Sequence, residues 1–486
     1  MSQKSIKMNL VMNMIVTILN VIFPLITFPY VSRVLGPTGT GAVSYAASIV
    51  SYFSIFALLG VQTYGIKACA EVRGDKEALT KRVQEIMILL LCSTMLSYFA
   101  LFVVIKRGMI HAFYEHIVYI YAVGIILQVI GMEWLYKALE EYRYIAVRSI
   151  MIKTVSIVLM FFLIREKQDY PMYAVINVFA DGGAQILNFL FSFKHIKIKR
   201  YQDYHFKVHT GPLMIFFLTN VVHLVYTNLD IIMLEHMKGT YQVGIYNMAL
   251  RIENILLSMV TALGVVVLPQ LSVAIKEKRY DDFQKLNKKA LNYTVAIALF
   301  FIAIFEIVAP ECVNILGGTE YEESTLLFRI LLFTLIMAGA ANISGLQILI
   351  PLGKEKQFLL SVAGGALVDF VMNLIFIERL GNKATAFSTV TAELVVLLLQ
   401  LWFMKRNGMP MPRLSVKPLF LAVLCFLTVG FVKKIVPIPN PVFACIVFGT
   451  IYGLMWLAMA NLIKEEITLE IQRTVLNKLG VRKKNG

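Results

Sequence analysis

The residues of this sequence whose types and spacing could do chemistry are ionisable side chains inside long apolar runs. A charge is costly inside a bilayer, so such residues usually serve a function. For each one alone, an ion pair or a charged end reaching the membrane surface is the simpler interpretation; together they predict a hydrated, charged cavity. The set is Glu133, Lys153, Asp181, Asp230, Arg251, Glu253, Glu306, Arg329, Asp369 and Glu393, with Lys137 at the end of a run.

Arg251 is the best candidate for holding an anionic group. It lies about ten residues, roughly 15 Å of helix, from the end of its run, too deep for its charge to reach the membrane surface. Its guanidinium offers several donors in a planar fork that matches phosphate. Asp230 lies on the preceding antiparallel run, so the alternative is a buried Arg251–Asp230 pair that only holds the helices together. Lys153 and Arg329 are predicted to add positive charge to the same substrate-binding surface.

Asp369 and Glu393 lie at similar depths on neighbouring apolar runs, and Asn373 follows Asp369 by four residues on the same helix face. Carboxylate and amide oxygens at one depth could bind a coupling Na⁺ or proton. The alternative is polar contacts that join the two helices. No other cofactor is expected.

Glu133 and Lys137 are four residues apart, so they share a helix face at the predicted inner mouth, with Lys153 about one turn inside the next run. This spacing fits an inner gate or a basic vestibule, and equally an ordinary intrahelical ion pair. The sequence contains no HExxH, GxSxG or DxD motif, and we predict no catalytic residue, no metal site and no enzyme. The histidines do not cluster at ligand spacing, and His195, His205 and His209 are assigned to a basic loop.

The stretch RVLGPTGTGAV, residues 33–43, has the glycine content of a phosphate-binding loop. It lacks the Lys and hydroxyl that a P-loop needs, and the residues before it read as a membrane helix. We therefore predict a hairpin in which Gly36-Pro37 ends one span and Gly39 to Gly41 begin the next. Arg33, at the outer rim, stays a candidate for contact with an anionic group through its side chain.

The elements that position these residues are membrane helices. Hydrophobic residues make up 58% of the 486 residues, charged residues only 16%, and the mean hydropathy is +0.72. The net charge of +16 is better explained by basic cytoplasmic loops than by nucleic-acid binding. The five cysteines have no zinc or redox spacing and are interpreted as packing residues.

Runs of about 20 apolar residues predict fourteen membrane helices. Most Lys and Arg residues fall on one side of the resulting topology, which places both termini in the cytoplasm. The loops are short, which leaves no room for a soluble catalytic domain. The spans are 9–31, 40–62, 84–105, 114–136, 147–164, 171–193, 212–236, 242–268, 289–309, 325–350, 357–377, 384–404, 416–436 and 441–463.

A faint internal repeat relates the two halves of the chain. GAVSYAASI from Gly41 and GIYNMALRI from Gly244 share Gly, then Ala five residues later, then Ile eight residues later. Chance could produce this match, but the two stretches hold equivalent places in two sets of six spans. Repeated bundles with a site between them are common in transporters. The predicted division is an N-terminal lobe 1–200, a C-terminal lobe 201–410, and an extra helix pair with a cytoplasmic tail 411–486.

Four stretches resemble the polysaccharide transporter family, the Wzx-like flippases of O-antigen and capsule repeat units. They are PLITFPYVSRVLGPTGTGAVSYAASI from residue 24, WLYKALEEYRYIA (134–146), YTNLDIIML (226–234) and VGIYNMALRI (243–252). The family belongs to the multidrug/oligosaccharidyl-lipid/polysaccharide flippase superfamily. The resemblance implies an all-α protein with two six-helix lobes in a V shape plus a C-terminal helix pair.

The resemblance also implies a substrate and a mechanism. The substrate would be an undecaprenyl-pyrophosphate-linked oligosaccharide, moved by alternating access from the cytoplasmic to the outer leaflet of a bacterial inner membrane. The cationic cavity residues of the family would correspond to Arg33 and Arg251. Glu133 and Lys137 depart from the family, in which uncharged residues are expected. Polysaccharide polymerases and glycosyltransferases would be its partners.

Three rival functions stay open. A multidrug/cation antiporter of the same superfamily would favour an acidic cavity, whereas Arg33, Arg251, Arg329 and Lys153 favour an anionic substrate. A membrane enzyme that modifies the glycan would need a catalytic outer loop, and the longest one, 310–324, carries four glutamates. A scaffold for glycosyltransferases would depend on cytoplasmic loops and not on cavity residues.

Overall fold

The structure is a computed structural model that describes residues 3–197, 199–277, 279–408 and 414–478. These residues form helices and connecting turns, with no strand among them. Eleven helical stretches within the described ranges are long and apolar enough to cross a membrane. The chain is therefore an all-α, multi-pass membrane protein, as its composition predicts.

The helices fall close to the predicted spans. Ten of the eleven stretches each overlap one predicted span, and the stretch Ile22–Ala70 covers the first two. Helices α8 and α9 cover the predicted spans 212–236 and 242–268. The count of fourteen membrane crossings stays a prediction.

The chain divides into two compact units, Met1–Gly244 and Ile245–Gly486. The proposed three-part division at residues 200 and 410 stays a prediction, and residues 479–486 of its tail lie outside the described residues. The first unit contains α1 (Gln3–Leu58), α2 (Val61–Ala70), α3 (Lys76–Lys106), α4 (Ala112–Ile130), α5 (Glu133–Ala138), α6 (Tyr142–Leu163), α7 (Tyr170–Ser192) and α8 (Lys207–Lys238). Helix α9 (Thr240–Lys276) starts in it and continues into the second unit, which contains α10 (Tyr280–Gly317), α11 (Ser324–Leu331), α12 (Thr334–Asn342), α13 (Glu355–Leu380), α14 (Asn382–Arg406), α15 (Lys417–Ile435), α16 (Pro441–Leu462) and α17 (Glu466–Lys478).

Helix α1 consists of two helices that are joined at a single residue. Gly36 has φ 66° and ψ 179°, a conformation that only glycine adopts without strain. The second helix resumes at once with Pro37, whose fixed φ suits a first helical position. The predicted end of span one at Gly36 is confirmed, but the predicted start of span two is wrong by several residues, because Gly39 and Gly41 already lie inside the second helix.

Gly41 serves close packing between helices. A Cβ atom on Gly41 would lie 1.9 Å from the carbonyl oxygen of Thr240 and 2.8 Å from the amide nitrogen of Gly244. A Cβ on Gly244 would in turn lie 1.9 Å from the carbonyl oxygen of Pro37. The two glycines at the head of the internal repeat therefore meet each other, which allows the backbones of α1 and α9 to touch.

The helical backbone is interrupted twice at one end of the first unit, the end where α3, α6 and α8 begin. Leu59 and Gly60 adopt positive φ between α1 and α2, and Met132 does so between α4 and α5. The short helices α2 and α5 pack on each other through Trp134, whose ring leaves no room for a side chain on Gly65. The predicted ends of spans 40–62 and 114–136 are therefore wrong, because each span runs into a separate short helix. The break at Met132 directs Glu133 and Lys137 away from the axis of α4.

The connection between α7 and α8 lies along the first turns of α3. Lys81 contacts Asp203 at 2.9 Å and Lys199 contacts Glu77 at 2.7 Å, both at the surface. The hydrogen bond from Lys81 lowers the pKa of the Asp203 carboxyl group. Such exposed pairs stabilise weakly on their own, so their main effect is to set the path of the connection.

His209 joins three helices in a buried network, where the sequence analysis had assigned it to a loop. Its Nδ1 atom lies 2.7 Å from the Tyr64 hydroxyl, and its Nε2 atom lies 2.8 Å from Glu85 Oε2. The backbone N–H of His205 also donates to Glu85, at 2.8 Å. A carboxylate beside the first turn of α8 complements the helix dipole, so the network fixes where α8 starts.

Candidate functional site

The Glu133 cluster (Glu133, Lys137, Arg148 and Gln185) collects three donors around one carboxylate. Lys137 Nζ lies 2.8 Å from Glu133 Oε1, and Arg148 Nη2 lies 2.9 Å from Glu133 Oε2. Gln185 Nε2 donates to the same Oε2 atom at 3.1 Å. The predicted Glu133–Lys137 pair therefore exists, as part of a larger cluster that joins α5, α6 and α7.

Arg148 and Gln185 are the two members of this cluster that were not predicted from the sequence. Span five was predicted to begin at residue 147, which placed Arg148 at a basic loop boundary, whereas α6 begins at Tyr142. Arg148 therefore lies in the second turn of α6, with only 3% of its side chain exposed, 5.8 Å from the centre of the Tyr144 ring. No sequence signal points to Arg148, because Glu133 already has a cation four residues away on its own helix, Lys137.

Lys153 lies on α6 and is half-buried. Its ammonium lies 5.3 Å from the centre of the Phe23 ring on α1 and is close enough to Asp181 on α7 for the two charges to attract. The structure thus brings two residues of the predicted set, Lys153 and Asp181, together within the first unit. Arg33 is exposed, three residues before the bend at Gly36.

Asp230 and Arg251 belong to different units. Asp230 is buried on α8, close enough to Tyr52 on α1 for an electrostatic interaction. Beside it, Ser48 Oγ donates to Asn228 Oδ1 at 3.1 Å, so α1 and α8 share a polar strip. Arg251 is partly buried on α9 in the second unit. The predicted role of Arg251 in substrate binding stays a prediction.

Helices α13 and α14 carry the predicted coupling residues. Asp369 and Asn373 are buried on α13, and Ser388 Oγ of α14 donates to Asn373 Oδ1 at 2.9 Å. Glu393 lies on α14 near a carboxylate that the sequence analysis had not paired with it, Glu253 of α9. Glu253 is itself buried and accepts a hydrogen bond from the Thr334 hydroxyl.

Helices α9, α12, α13 and α14 of the second unit therefore carry several acidic and neutral oxygen atoms. Carboxylate, amide and hydroxyl oxygens suit a hard cation or a proton better than a transition metal. Among the described residues, no group of three or more His, Cys, Asp or Glu residues that could hold a metal ion is found. The coupling role of Asp369, Asn373 and Glu393 stays a prediction. The first unit instead holds the basic Glu133 cluster and Lys153.

Arg329 of α11 contacts α10 at the kink next to Pro310. Pro310 has no N–H and leaves the carbonyl of Glu306 without its helical partner. Arg329 Nη2 lies 3.4 Å from that oxygen, and Arg329 Nε lies 3.5 Å from Glu306 Oε1. Nearby, Lys433 of α15 donates to the carbonyl of Ile307 at 2.6 Å. These contacts give Arg329 a structural task, and its predicted role in substrate binding stays a prediction.

Residues 6–275 match the family described as "Polysaccharide biosynthesis protein". The chain belongs to this family. The match covers more than half of the chain and includes the stretches 24–49, 134–146, 226–234 and 243–252 on which the resemblance was based. The family prediction is therefore confirmed.

This polysaccharide biosynthesis family member is similar to two proteins named putative O-antigen transporter. The one from Escherichia coli K12 is 22% identical over 422 residues, which cover 83% of this chain and 97% of that protein. The one from Shigella dysenteriae is 22% identical over 404 residues, which cover 81% and 99%.

Solved structures with the same fold are membrane transporters. The lipid II flippase MurJ in an inward closed conformation matches with a TM-score of 0.72 at 16% identity, over 94% of this chain and 99% of MurJ. An inward-facing multidrug resistance transporter of the MATE family matches with a TM-score of 0.63 at 15% identity, over 79% and 94%. At this level of identity the comparison shows the fold alone, and the predicted all-α membrane-transporter fold is confirmed. The two six-helix lobes and the C-terminal helix pair stay a prediction.

Proposed function

We propose that this protein is a flippase that moves an undecaprenyl-pyrophosphate-linked oligosaccharide from the cytoplasmic to the outer leaflet by alternating access. The observation that carries the proposal is the similarity to putative O-antigen transporters, over 83% of this chain and 97% of the relative, in a chain with the fold of a lipid flippase. The protein would lie in a bacterial inner membrane, with both of its termini in the cytoplasm. Polysaccharide polymerases and glycosyltransferases would work beside it.

The basic and the acidic residues would have different tasks. Arg251, Arg33 and Lys153 would hold the pyrophosphate or an acidic sugar, because guanidinium and ammonium groups bind phosphate oxygens strongly where water is scarce. Asp369, Asn373 and Glu393 would bind a coupling Na⁺ or proton. In this proposal the cation neutralises the carboxylates and thereby changes which packing of the helices is favoured.

Arg251 variants test the substrate role. In cells, Arg251→Ala is expected to lower the appearance of the glycan on the outer leaflet at least tenfold, and Arg251→Lys to restore only part of it, because one ammonium replaces a bidentate fork. The measurement is the accessibility of the lipid-linked glycan to a membrane-impermeant label, normalised to protein level. Wild-type accessibility in both variants would remove the assigned role.

A multidrug or cation antiporter is the second candidate. The MATE-like fold and the carboxylates Glu253, Asp369 and Glu393 in the second unit favour it. It predicts that a deletion strain becomes sensitive to cationic drugs while its surface glycan stays normal. The reverse phenotype, lost glycan with unchanged drug sensitivity, supports the flippase.

A further inference from the structure

We infer that Lys137 is a mobile receptor for the pyrophosphate of the lipid-linked substrate, and that Arg148 makes this possible by remaining bound to Glu133. The inference rests on the proposed function, because it names where the anionic group of that substrate is first bound. It adds a positioning residue, Arg148, to a site that the sequence describes only as a Glu–Lys pair.

The charge of the Glu133 cluster supports this exchange. Glu133 carries one negative charge against the positive charges of Lys137 and Arg148, so the cluster holds one excess positive charge. Lys137 and Glu133 are 33% and 25% exposed, whereas Arg148 is 3% exposed. An incoming anion can therefore reach the ammonium but not the guanidinium.

The hydrogen bonds of Glu133 show why Lys137 can leave it. An ion pair that loses one partner in a partly buried place normally costs much free energy, because the remaining charge has no compensation. Here Arg148 at 2.9 Å and Gln185 at 3.1 Å both bind Glu133 Oε2 and would stay in place. Lys137 binds the other oxygen, Oε1, so its departure leaves the contacts on Oε2 intact.

Packing keeps these two donors fixed while Lys137 moves. Gln185 lies against Gly131, whose Cβ would fall 2.2 Å from the Gln185 amide oxygen, and that oxygen also accepts from Asn188 at 3.0 Å. The Tyr136 and Tyr144 rings stack at 5.0 Å beside Arg148, and the Tyr136 hydroxyl donates to the Asn188 carbonyl. The ammonium of Lys137, on a flexible four-carbon stem, is the mobile member of the cluster.

The test is pyrophosphate binding by the purified full-length protein at constant ionic strength. Lys137→Ala is expected to raise the Kd about tenfold, the effect of losing one charge-assisted hydrogen bond. Glu133→Gln is expected to lower the Kd, because it releases Lys137. Arg148→Gln is expected to raise the Kd about as much as Lys137→Ala, although Arg148 does not touch the anion, because Glu133 then retains Lys137.

A double variant separates this positioning role from a structural one. In Glu133→Gln/Arg148→Gln no carboxylate remains to hold Lys137, so binding is expected to return at least to the wild-type level. Arg148→Lys should also bind normally, and Arg143→Ala, which removes an exposed cation of the same helix, is the matched control with unchanged Kd. Unchanged binding in Lys137→Ala, weaker binding in Glu133→Gln, or no recovery in the double variant would each overturn the inference.

Two further arms identify the source of the anion. Phosphatidylcholine nanodiscs that contain a polyprenyl pyrophosphate should show the same order of variants as inorganic pyrophosphate. Binding of the inorganic anion without binding of the lipid would overturn the role in substrate reception. If Lys137→Ala flips the glycan at the wild-type rate, the inference fails while the proposed function stands. If the wild-type protein flips nothing, the proposed function itself fails.

Discussion

Replacing Gly41 with alanine tests the close approach of α1 and α9 most directly. The new Cβ would lie 1.9 Å from the Thr240 carbonyl oxygen, where ordinary contacts begin at 3.4 Å. The backbones must therefore separate by about 1.5 Å, and because both neighbours are main-chain atoms no side-chain rotation can relieve the overlap. We expect a loss of about 3 kcal/mol, the upper end of the usual cost of overpacking.

The assay is thermal unfolding of the purified protein in detergent, followed by tryptophan fluorescence. For a unit of this size, such a loss lowers the Tm by about 6–12 °C. Gly449→Ala is the matched control: Gly449 lies inside α16, a Cβ there meets no atom within 4 Å, and alanine should be neutral or slightly stabilising. Equal melting of the Gly41 and Gly449 variants would refute the contact between α1 and α9.

Three further predictions follow from other parts of the fold. The Sγ atoms of Cys312 and Cys445 lie 3.9 Å apart, so oxidation by copper phenanthroline in membranes should join them in a disulfide that a reducing agent cleaves. Failure to form this disulfide would contradict the packing of α16 on α10. Glu85→Gln should lower the Tm by more than a surface change does, since a charge-assisted bond from buried His209 contributes about 1.5–3 kcal/mol, and an unchanged Tm would count against the network. Asp369→Asn should remove the dependence of transport on an ion gradient while substrate binding persists; full gradient dependence in the variant would exclude Asp369 from coupling.

Helix positions could be predicted because the responsible signal is local. A run of about 20 apolar residues has few alternatives to a membrane helix, whatever lies around it. The bend at Gly36 could also be predicted from a local signal, since a Gly-Pro pair ends a helix. The start of the next helix was misplaced because Gly39 and Gly41 look like turn residues in sequence, whereas their small size serves close packing to α9.

The partners of the charged residues could not be predicted, because they come from distant parts of the chain. Arg148 reaches Glu133 only because α5 turns away from α4 at Met132, a non-glycine residue with φ 44° that no sequence pattern announces. Glu253 approaches Glu393 across 140 residues of sequence in the same way. Spacing revealed the intrahelical pair of Glu133 and Lys137 and nothing of the contacts between helices.

The central claim is that the protein moves a lipid-linked oligosaccharide between leaflets. The most direct measurement reconstitutes the purified protein in liposomes that carry an undecaprenyl-pyrophosphate-linked oligosaccharide and follows the glycan that becomes accessible to an impermeant lectin. Wild-type protein is expected to accelerate this exposure over protein-free liposomes, and Arg251→Ala is expected to lower the rate at least tenfold. An exposure rate equal to that of protein-free liposomes, with correctly folded protein, would contradict it.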